Sequence, residues 1–151
     1  MIMSMQEVEG FVKVSTDSSV PLVAKVTAGT DTMIIDESGS EQDVKNGVDP
    51  YDYILAALGA CTVITLNMYA KLKGWPLERA EVQLRHERVH TDDCQHCEQD
   101  TAKLTQVIKK LRLFGDLTAE QRQRLKVIAS RCPVQKTLVA GISVETELMD
   151  D

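Results

Sequence analysis

Two cysteines, seventy-one positions apart, are the side chains of this sequence best suited to covalent chemistry. Cys61 lies within an eighteen-residue stretch without charged side chains, residues 53–70, and Cys132 directly precedes Pro133. Free cysteines are often inert, buried side chains. A thiol in an apolar pocket can instead be the one reactive atom of a site, and thiols oxidise reversibly to sulfenic acids and disulfides. The residues alone leave both interpretations open.

The local environment of Cys61 disfavours a charged sulfur. Cys61 lies about three turns into its predicted helix, beyond the first turn in which the helix dipole stabilises an anion. Its helical neighbours are apolar or weakly polar and desolvate a thiolate. A reactive Cys61 therefore needs a cation or strong hydrogen-bond donors from another segment or another subunit.

A second group of candidate residues lies between residues 86 and 97, which contain all three histidines of the chain. Cys94 and Cys97 form a Cys-x-x-Cys pair, which can bind zinc with a histidine such as His90. The same pair could also exchange electrons as a dithiol. An exposed polar loop is the simplest interpretation, since one such pair without a matching second pair is only moderately specific.

Composition limits the class of protein. A length of 151 residues suffices for one domain with a core, and we predict a single domain over residues 1–151. The net charge of −6 argues against a nucleic-acid partner. No secretory signal is visible at the start of the chain, so we expect a cytoplasmic protein with reduced thiols. The uncharged stretch approaches membrane-spanning length, but we favour a buried helix and no membrane partner.

Hydrophobic patterning predicts the elements that position these residues. Residues 7–36 alternate in short runs, which is typical of two or three antiparallel strands, and residues 37–49 form a polar loop. Asp49 and Pro50 have the residue types that begin a helix, and Gly74 has the type that ends one. A long helix carrying Cys61 is therefore expected between them.

The second half of the chain is predicted to alternate between strands and helices. Strands are expected over residues 80–90 and 103–114, although the second segment also fits a helix. A capping box at Thr118 begins an amphipathic helix. A short helix follows Pro133, and a closing strand covers residues 141–146. This order of elements predicts an α+β fold.

The segments around both cysteines resemble one known family. The runs 49–62 (DPYDYILAALGACT) and 128–134 (IASRCPV) resemble the two cysteine motifs of the OsmC/Ohr family of thiol-dependent hydroperoxide reductases. The similarity extends roughly from Lys25 to Glu147. It implies an OsmC-like intertwined homodimer, with antiparallel sheets packed around a long central helix that carries Cys61.

The same resemblance implies an activity. Members of this family reduce organic hydroperoxides and act in the oxidative stress response. Cys61 would attack the peroxide and become a sulfenic acid, and Cys132 would be the resolving thiol that condenses with it to a disulfide. A dithiol reductant would then restore both thiols. The resemblance therefore predicts a cytoplasmic peroxidase, an oxidoreductase that needs no metal and no bound cofactor.

The resemblance also implies groups that activate the attacking sulfur. Better-known members carry a glutamate directly after the helix-opening proline; here Tyr51 occupies that position, and the nearest acid is Asp52, our third candidate catalytic residue. Better-known members also use an arginine from the N-terminal strands. This chain has no arginine before Arg79, so the candidate cations are Lys13, Lys25 and Lys45.

Two alternatives remain beside the peroxidase. The chain could keep the fold and an apolar interfacial pocket as a non-catalytic small-molecule-binding protein. It could also be a metal-binding protein centred on His90, Cys94 and Cys97.

Overall fold

The structure, a computed structural model, describes residues 10–39, 48–90 and 103–150. It mixes helices with antiparallel strands, which confirms the predicted α+β class. In chain order the elements are β1 (Lys13–Thr16), β2 (Val23–Ala28), β3 (Asp31–Asp36), α1 (Pro50–Lys73), β4 (Arg79–His90), β5 (Lys103–Phe114), α2 (Ala119–Ala129) and α3 (Pro133–Ala140).

The chain divides into two compact units, residues 1–53 and 54–151. The described part of the first unit is an antiparallel sheet in the order β1-β2-β3, as the alternating runs predicted. A tight turn joins β2 to β3, and Gly29 supplies its left-handed backbone with a φ of 58°. The assignment of residues 1–151 to one domain stays a prediction.

Helix α1 ends where the sequence predicted. Gly74 adopts a left-handed φ of 67°. Its N–H donates to the carbonyl of Lys71 at 3.2 Å, and the N–H of Trp75 donates to the carbonyl of Ala70 at 2.9 Å. These two bonds form a Schellman motif, which satisfies carbonyl groups that the helix itself leaves free. The start of α1 at Pro50 is confirmed as well.

The inner face of α1 packs within the second unit. Leu58, Thr62, Leu66 and Ala70 are buried and recur every four residues, so they form one stripe along the helix. Beside this stripe Gly59 allows close contact with β4, because a Cβ atom there would lie 2.8 Å from Leu84 Cδ1. The absence of a side chain therefore sets the distance between α1 and the sheet.

The described part of the chain contains one helix, α1, that is long and apolar enough to span a membrane. Core helices of soluble proteins have the same length and composition. The buried stripe of α1 packs into the hydrophobic core of the second unit, so we interpret α1 as a core helix. The core cluster consists of Leu66, Ala70, Leu117, Leu125, Ile128 and Ala129.

Strands β4 and β5 form a long antiparallel ribbon, with Arg79 opposite Phe114 at one end and Leu84 opposite Lys109 near the middle. The strand prediction for residues 103–114 is confirmed, and so is that for residues 80–90 within one residue. On β5 the inner positions include Leu111 and Leu113, which pack against the core cluster.

The turn after β5 depends on a glycine and on hydrogen bonds from an arginine side chain. Gly115 has a φ of 134°, and a Cβ atom there would lie 2.0 Å from the carbonyl oxygen of Pro76. The Arg122 guanidinium donates to the carbonyls of Leu113 at 2.9 Å and Gly115 at 3.0 Å. Arg122 therefore connects α2 to the end of β5 through two hydrogen bonds.

Both C-terminal helices begin as the sequence predicted. The capping box of α2 is present, because Thr118 and Gln121 each accept a hydrogen bond from the other's N–H. Helix α3 begins with Pro133 at its first position, behind Cys132. These starts fix the connection between the two helices, which holds Cys132.

The prediction of a closing strand over residues 141–146 is wrong. Gly141 ends α3 with a φ of 91°, and residues 141–150 form no regular element. Ile142 and Val144 alternate as in a strand, yet both side chains are exposed. A strand needs a neighbouring strand to satisfy its backbone groups, and none of the described strands of this chain pairs with the segment.

Candidate active site

The fold brings the two distant cysteines together. Cys61 lies in the middle of α1 and is half-buried, and Cys132 lies between α2 and α3 and is 0% exposed. The Cys61 thiol is one of the hydrogen-bonding groups that lower the pKa of Cys132, so the two thiols are neighbours. Both are free thiols. A disulfide between these neighbouring thiols stays a prediction.

Cys132 is the N-cap residue of α3. Its sulfur accepts a hydrogen bond from the backbone N–H of Gln135 at 3.3 Å. The sequence produces this geometry because Pro133 supplies the fixed φ of a first helical residue and lacks the N–H that would go unused there. The cap therefore aims the positive end of α3 at the sulfur of Cys132.

A lysine from β5 supplies the cation of the site. The Lys109 ammonium donates hydrogen bonds to the Gln135 amide oxygen at 2.6 Å, the Ala129 carbonyl at 2.8 Å and the Thr62 hydroxyl at 3.1 Å. An ammonium group has three N–H donors, so all are used. Lys109 thereby links β5 to α1, α2 and α3 around the two thiols.

The Thr62 hydroxyl lies between this cation and the sulfur of Cys132. Thr62 is fully buried and follows Cys61 on α1. Its oxygen is 2.8 Å from the Leu58 carbonyl and 3.9 Å from Cys132 Sγ, and it accepts from Lys109. A hydroxyl has one proton, so it donates either to the carbonyl or to the sulfur. Rotation of this one proton can add a donor when the sulfur becomes charged.

These contacts change the ionisation of the site. Burial opposes ionisation of Cys132, but the hydrogen bonds from Gln135, Cys61 and Thr62 and the charge of Lys109 hold the pKa of Cys132 below its ordinary value. Burial lowers the pKa of Lys109, and the charges of Cys132 and Cys61 act against that shift. The site therefore favours a thiolate beside an ammonium group.

A groove of about 430 Å³ lies next to the thiol site, between β5 and α2. Lys109 belongs to both, and α1 contributes no residue to the groove. Its lining combines apolar side chains of β5 with cations: Lys109, Leu111, Leu113, Arg122, Gln123, Lys126, Ala129 and Ser130.

Comparison with known proteins places the chain in a family. The sequence profile of the OsmC-like protein family matches residues 40–147, which contain both cysteines and Lys109. The chain belongs to the OsmC-like protein family. No curated protein sequence matches it significantly.

Solved structures show the same fold at low sequence identity. An OsmC-like protein from Mycoplasma pneumoniae has a TM-score of 0.67 and 13% identity, over 88% of this chain and 89% of that one. An organic hydroperoxide resistance protein OsmC from Legionella pneumophila gives 0.61 and 16%, over 83% and 85%. The organic hydroperoxide resistance protein OhrB of Bacillus subtilis gives 0.55 and 17%, over 83% and 87%.

The predicted site residues of this OsmC-like chain fall in different places. Cys61 and Cys132 meet, as described above. Asp52 lies in the first turn of α1: its carboxylate accepts the N–H of Asp49 at 3.1 Å, and its own N–H donates to the Asp49 carboxylate at 2.9 Å. A catalytic role of Asp52 stays a prediction.

The remaining candidates lie in other parts of the chain. Lys13 and Lys25 belong to strands of the first unit. Lys45 lies outside the described residues, as do Cys94 and Cys97 of the predicted metal or dithiol loop. Within the described ranges, no group of three histidine, cysteine or acidic side chains could hold a metal ion.

Lys109 was not among the candidates predicted from the sequence of this OsmC-like protein. The strand pattern of β5 nevertheless contains a signal for it. Lys109, Leu111 and Leu113 are alternate residues of β5, so the pleat places all three on one face. The two leucines pack against the core. A lysine on the inner face of a strand needs polar partners, and it marks a candidate site. Thr62 gives a similar signal, as the polar member of the buried stripe of α1.

Proposed function

We propose that this OsmC-like protein is a thiol-dependent peroxidase that reduces organic hydroperoxides through Cys61 and Cys132. The observation that carries the proposal is the position of the Thr62 hydroxyl, which directly follows Cys61 in the chain and lies 3.1 Å from the Lys109 ammonium and 3.9 Å from the sulfur of Cys132. A thiol pair with an adjacent cation has what peroxide reduction needs: a nucleophilic sulfur, a second sulfur to resolve it, and a positive charge that favours the thiolate.

The proposed reaction has two steps. In the first, the sulfur of Cys61, as a thiolate, attacks the terminal oxygen of the hydroperoxide. An S–O bond forms, the O–O bond breaks, and the leaving alkoxide takes a proton to become an alcohol. In the second, the sulfur of Cys132 attacks the resulting sulfenic acid. An S–S bond forms, and hydroxide leaves and becomes water after protonation.

A dithiol reductant completes the proposed cycle. Two thiol–disulfide exchanges transfer two electrons to the protein, restoring both thiols and oxidising the reductant to its disulfide. Because the protein disulfide forms and is reduced in every turnover, a reducing compartment suits it. We therefore propose a cytoplasmic location and a role in the oxidative stress response.

The names of two structural relatives support the choice of substrate. The Legionella pneumophila and Bacillus subtilis proteins are organic hydroperoxide resistance proteins. At 16% and 17% identity, the structural likeness of these two proteins to this chain shows a shared fold alone. The substrate class is therefore our proposal. Lys109 would replace the cation that better-known members take from an N-terminal arginine, as a point charge without the bidentate geometry of a guanidinium group.

A homodimer is the second part of the proposal. Ile64, Met68 and Leu72 of α1 are 57%, 68% and 83% exposed and recur every four residues, so they form an apolar stripe on its outer face. A second copy of the chain would cover this stripe. Met68→Lys is expected to shift the mass measured by light scattering from dimer to monomer, whereas Lys71→Ala should leave it unchanged. A monomeric unmodified protein would contradict the proposed dimer.

Stopped-flow oxidation by cumene hydroperoxide tests the catalytic proposal. We expect wild type to consume peroxide rapidly and to form the Cys61–Cys132 disulfide, detected by peptide mass spectrometry. Cys61→Ser should lose the rapid reaction. Cys132→Ser should accumulate a sulfenic acid on Cys61, trapped by dimedone, without that disulfide. Equal, slow peroxide consumption by all three proteins would refute the peroxidase and favour the non-catalytic small-molecule binder.

A further inference from the structure

We propose that Cys132 carries the negative charge of the resting thiol pair and is the base that takes the proton from Cys61. This inference rests on the peroxidase function proposed above and adds a role to the resolving thiol. Cys61 remains the sulfur that attacks the peroxide. Before substrate arrives, the two sulfurs share one proton, which resides on Cys61.

The charges around Lys109 require an anion. Its ammonium is half-buried, and its three hydrogen-bond acceptors are a hydroxyl, a carbonyl and an amide oxygen, all uncharged. Among the described residues, the titratable groups that act on Lys109 are Cys132 and Cys61. Removing a cation from water is costly unless an opposite charge accompanies it. One of the two sulfurs is therefore the counter-ion.

The hydrogen bonds select Cys132 as that sulfur. It accepts from the Gln135 N–H at the positive end of α3. The Thr62 hydroxyl, 3.9 Å from this sulfur, offers a further donor, and the Cys61 thiol also helps to lower the pKa of Cys132. Cys61 is the twelfth residue of the twenty-four in α1, where the helix dipole has faded. The charge is thus stabilised on Cys132, and the proton is left on Cys61.

The two sulfurs differ in solvent exposure, which determines which of them a peroxide can reach. Cys132 is fully buried, while Cys61 is half-buried, so a peroxide reaches Cys61 more readily in this chain. The accessible sulfur is then the protonated one, and the buried sulfur is the charged one. A base next to Cys61 removes this conflict, and Cys132 is the neighbouring group on which the Cys61 thiol acts as a hydrogen-bond donor.

The proton can be followed through the proposed reaction. Cys132 takes it as Cys61 becomes a thiolate and attacks the peroxide. The alkoxide that leaves the O–O bond takes the proton back from Cys132 and becomes an alcohol. Cys132 is again a thiolate, ready to attack the Cys61 sulfenic acid, and it displaces hydroxide, which leaves the site with the negative charge. The cycle thus converts one thiol, one thiolate and one hydroperoxide into a disulfide, an alcohol and hydroxide.

Thiolate absorbance in the ultraviolet, followed against pH, tests this assignment without peroxide. Reduced wild type, Cys61→Ser and Cys132→Ser are compared; Cys94 and Cys97 contribute to all three alike. We expect Cys61→Ser to keep a thiolate that titrates below the ordinary thiol range, because serine retains a hydroxyl donor for Cys132. Cys132→Ser should lose that thiolate. The opposite pattern would overturn the proposal.

Oxidation of Cys61 in Cys132→Ser gives a second measurement. Without its base, sulfenic acid formation should be slower than in wild type near neutral pH and rise about tenfold per pH unit toward the ordinary thiol range. A Cys132→Ser protein as fast as wild type at neutral pH would refute the role of base. If the wild-type protein does not react with peroxide, the proposed function is refuted. The absorbance titration still decides which sulfur is charged.

Discussion

The Lys109 ammonium donates a hydrogen bond to the Thr62 hydroxyl at 3.1 Å, which joins strand β5 to helix α1 at the residue after Cys61. The cation is thereby held by the main elements of the second unit. Its donors all point at fixed oxygens of α1 and of the segment from α2 to α3. A positive charge placed in this way needs no rearrangement when a thiolate forms beside it.

Replacing Lys109 by methionine is predicted to slow peroxide reduction. Methionine keeps much of the side-chain volume but removes the charge that stabilises a thiolate. We expect the rate of thiol oxidation by cumene hydroperoxide at neutral pH to fall at least about tenfold, the effect of a one-unit rise in thiol pKa. Stopped-flow measurement of the reduced protein gives this rate.

Lys110→Met is the matched control for Lys109→Met. Lys110 is the next residue of β5, and its side chain is exposed. The control changes the net charge by the same amount without touching the thiol site, so its rate should stay within about twofold of wild type. Equal rates for the two variants would show that Lys109 does not activate the thiols.

Asp52 is predicted to stabilise the start of helix α1, and two variants separate this role from the catalytic one. It exchanges two hydrogen bonds with Asp49 at the start of α1. Asp52→Asn retains an oxygen acceptor and should keep its oxidation rate, whereas Asp52→Ala should lose about 1 kcal/mol of unfolding free energy in urea. A tenfold slower Asp52→Asn of normal stability would instead support the catalytic role predicted from the sequence.

Gly115 is predicted to be indispensable for the fold of the second unit. Any side chain there would collide with the Pro76 carbonyl, 2.0 Å from the Cβ position, at a φ of 134°. Gly115→Ala should therefore lose more than about 3 kcal/mol of unfolding free energy. Urea unfolding followed by circular dichroism measures the loss.

Gly74→Ala separates the collision from backbone strain. Gly74 also has a positive φ, 67°, but nothing lies within 4 Å of its Cβ position. We expect a loss of only about 1 kcal/mol for this variant. Equal losses for Gly74→Ala and Gly115→Ala would mean that the contact with Pro76 contributes nothing.

Local sequence signals predicted the elements well, because their causes are local. Pro50, Gly74 and the Thr118 capping box each bound a helix through interactions within a few residues. The cysteine motifs located both thiols. The strand prediction for residues 141–146 was wrong because a strand depends on a neighbouring strand elsewhere in the fold. The alternation of Ile142 and Val144 does not provide one.

The activating cation could not be assigned from the sequence analysis for a related reason. Residues 103–114 fit a helix or a strand, and only the strand places Lys109 on the same face as Leu111. The approach of that face to Cys132 also depends on how β5 packs against α2, which no local pattern encodes. The order of the elements was predictable, while the pairing of one lysine with two thiols required the tertiary structure.

The stability of the reduced protein is predicted to depend on pH through Cys132. Its pKa in the folded state lies below the ordinary thiol value, so the unfolded chain binds more protons between the two values. Stability should therefore rise as pH increases from the folded pKa to about 8.5, the pKa of a free thiol. Below the folded pKa both states are protonated, and this contribution is lost.

Urea unfolding of the reduced protein at several pH values checks this dependence. The lowered pKa of Lys109 gives a slope of the same sign and is present in every variant, so the comparison must be made between cysteine variants. Cys61→Ser should keep most of the slope, because Cys132 and its donors remain. Cys132→Ser should lose it over the same pH range. An unchanged slope in Cys132→Ser would show that the buried sulfur is not the group whose charge stabilises the fold.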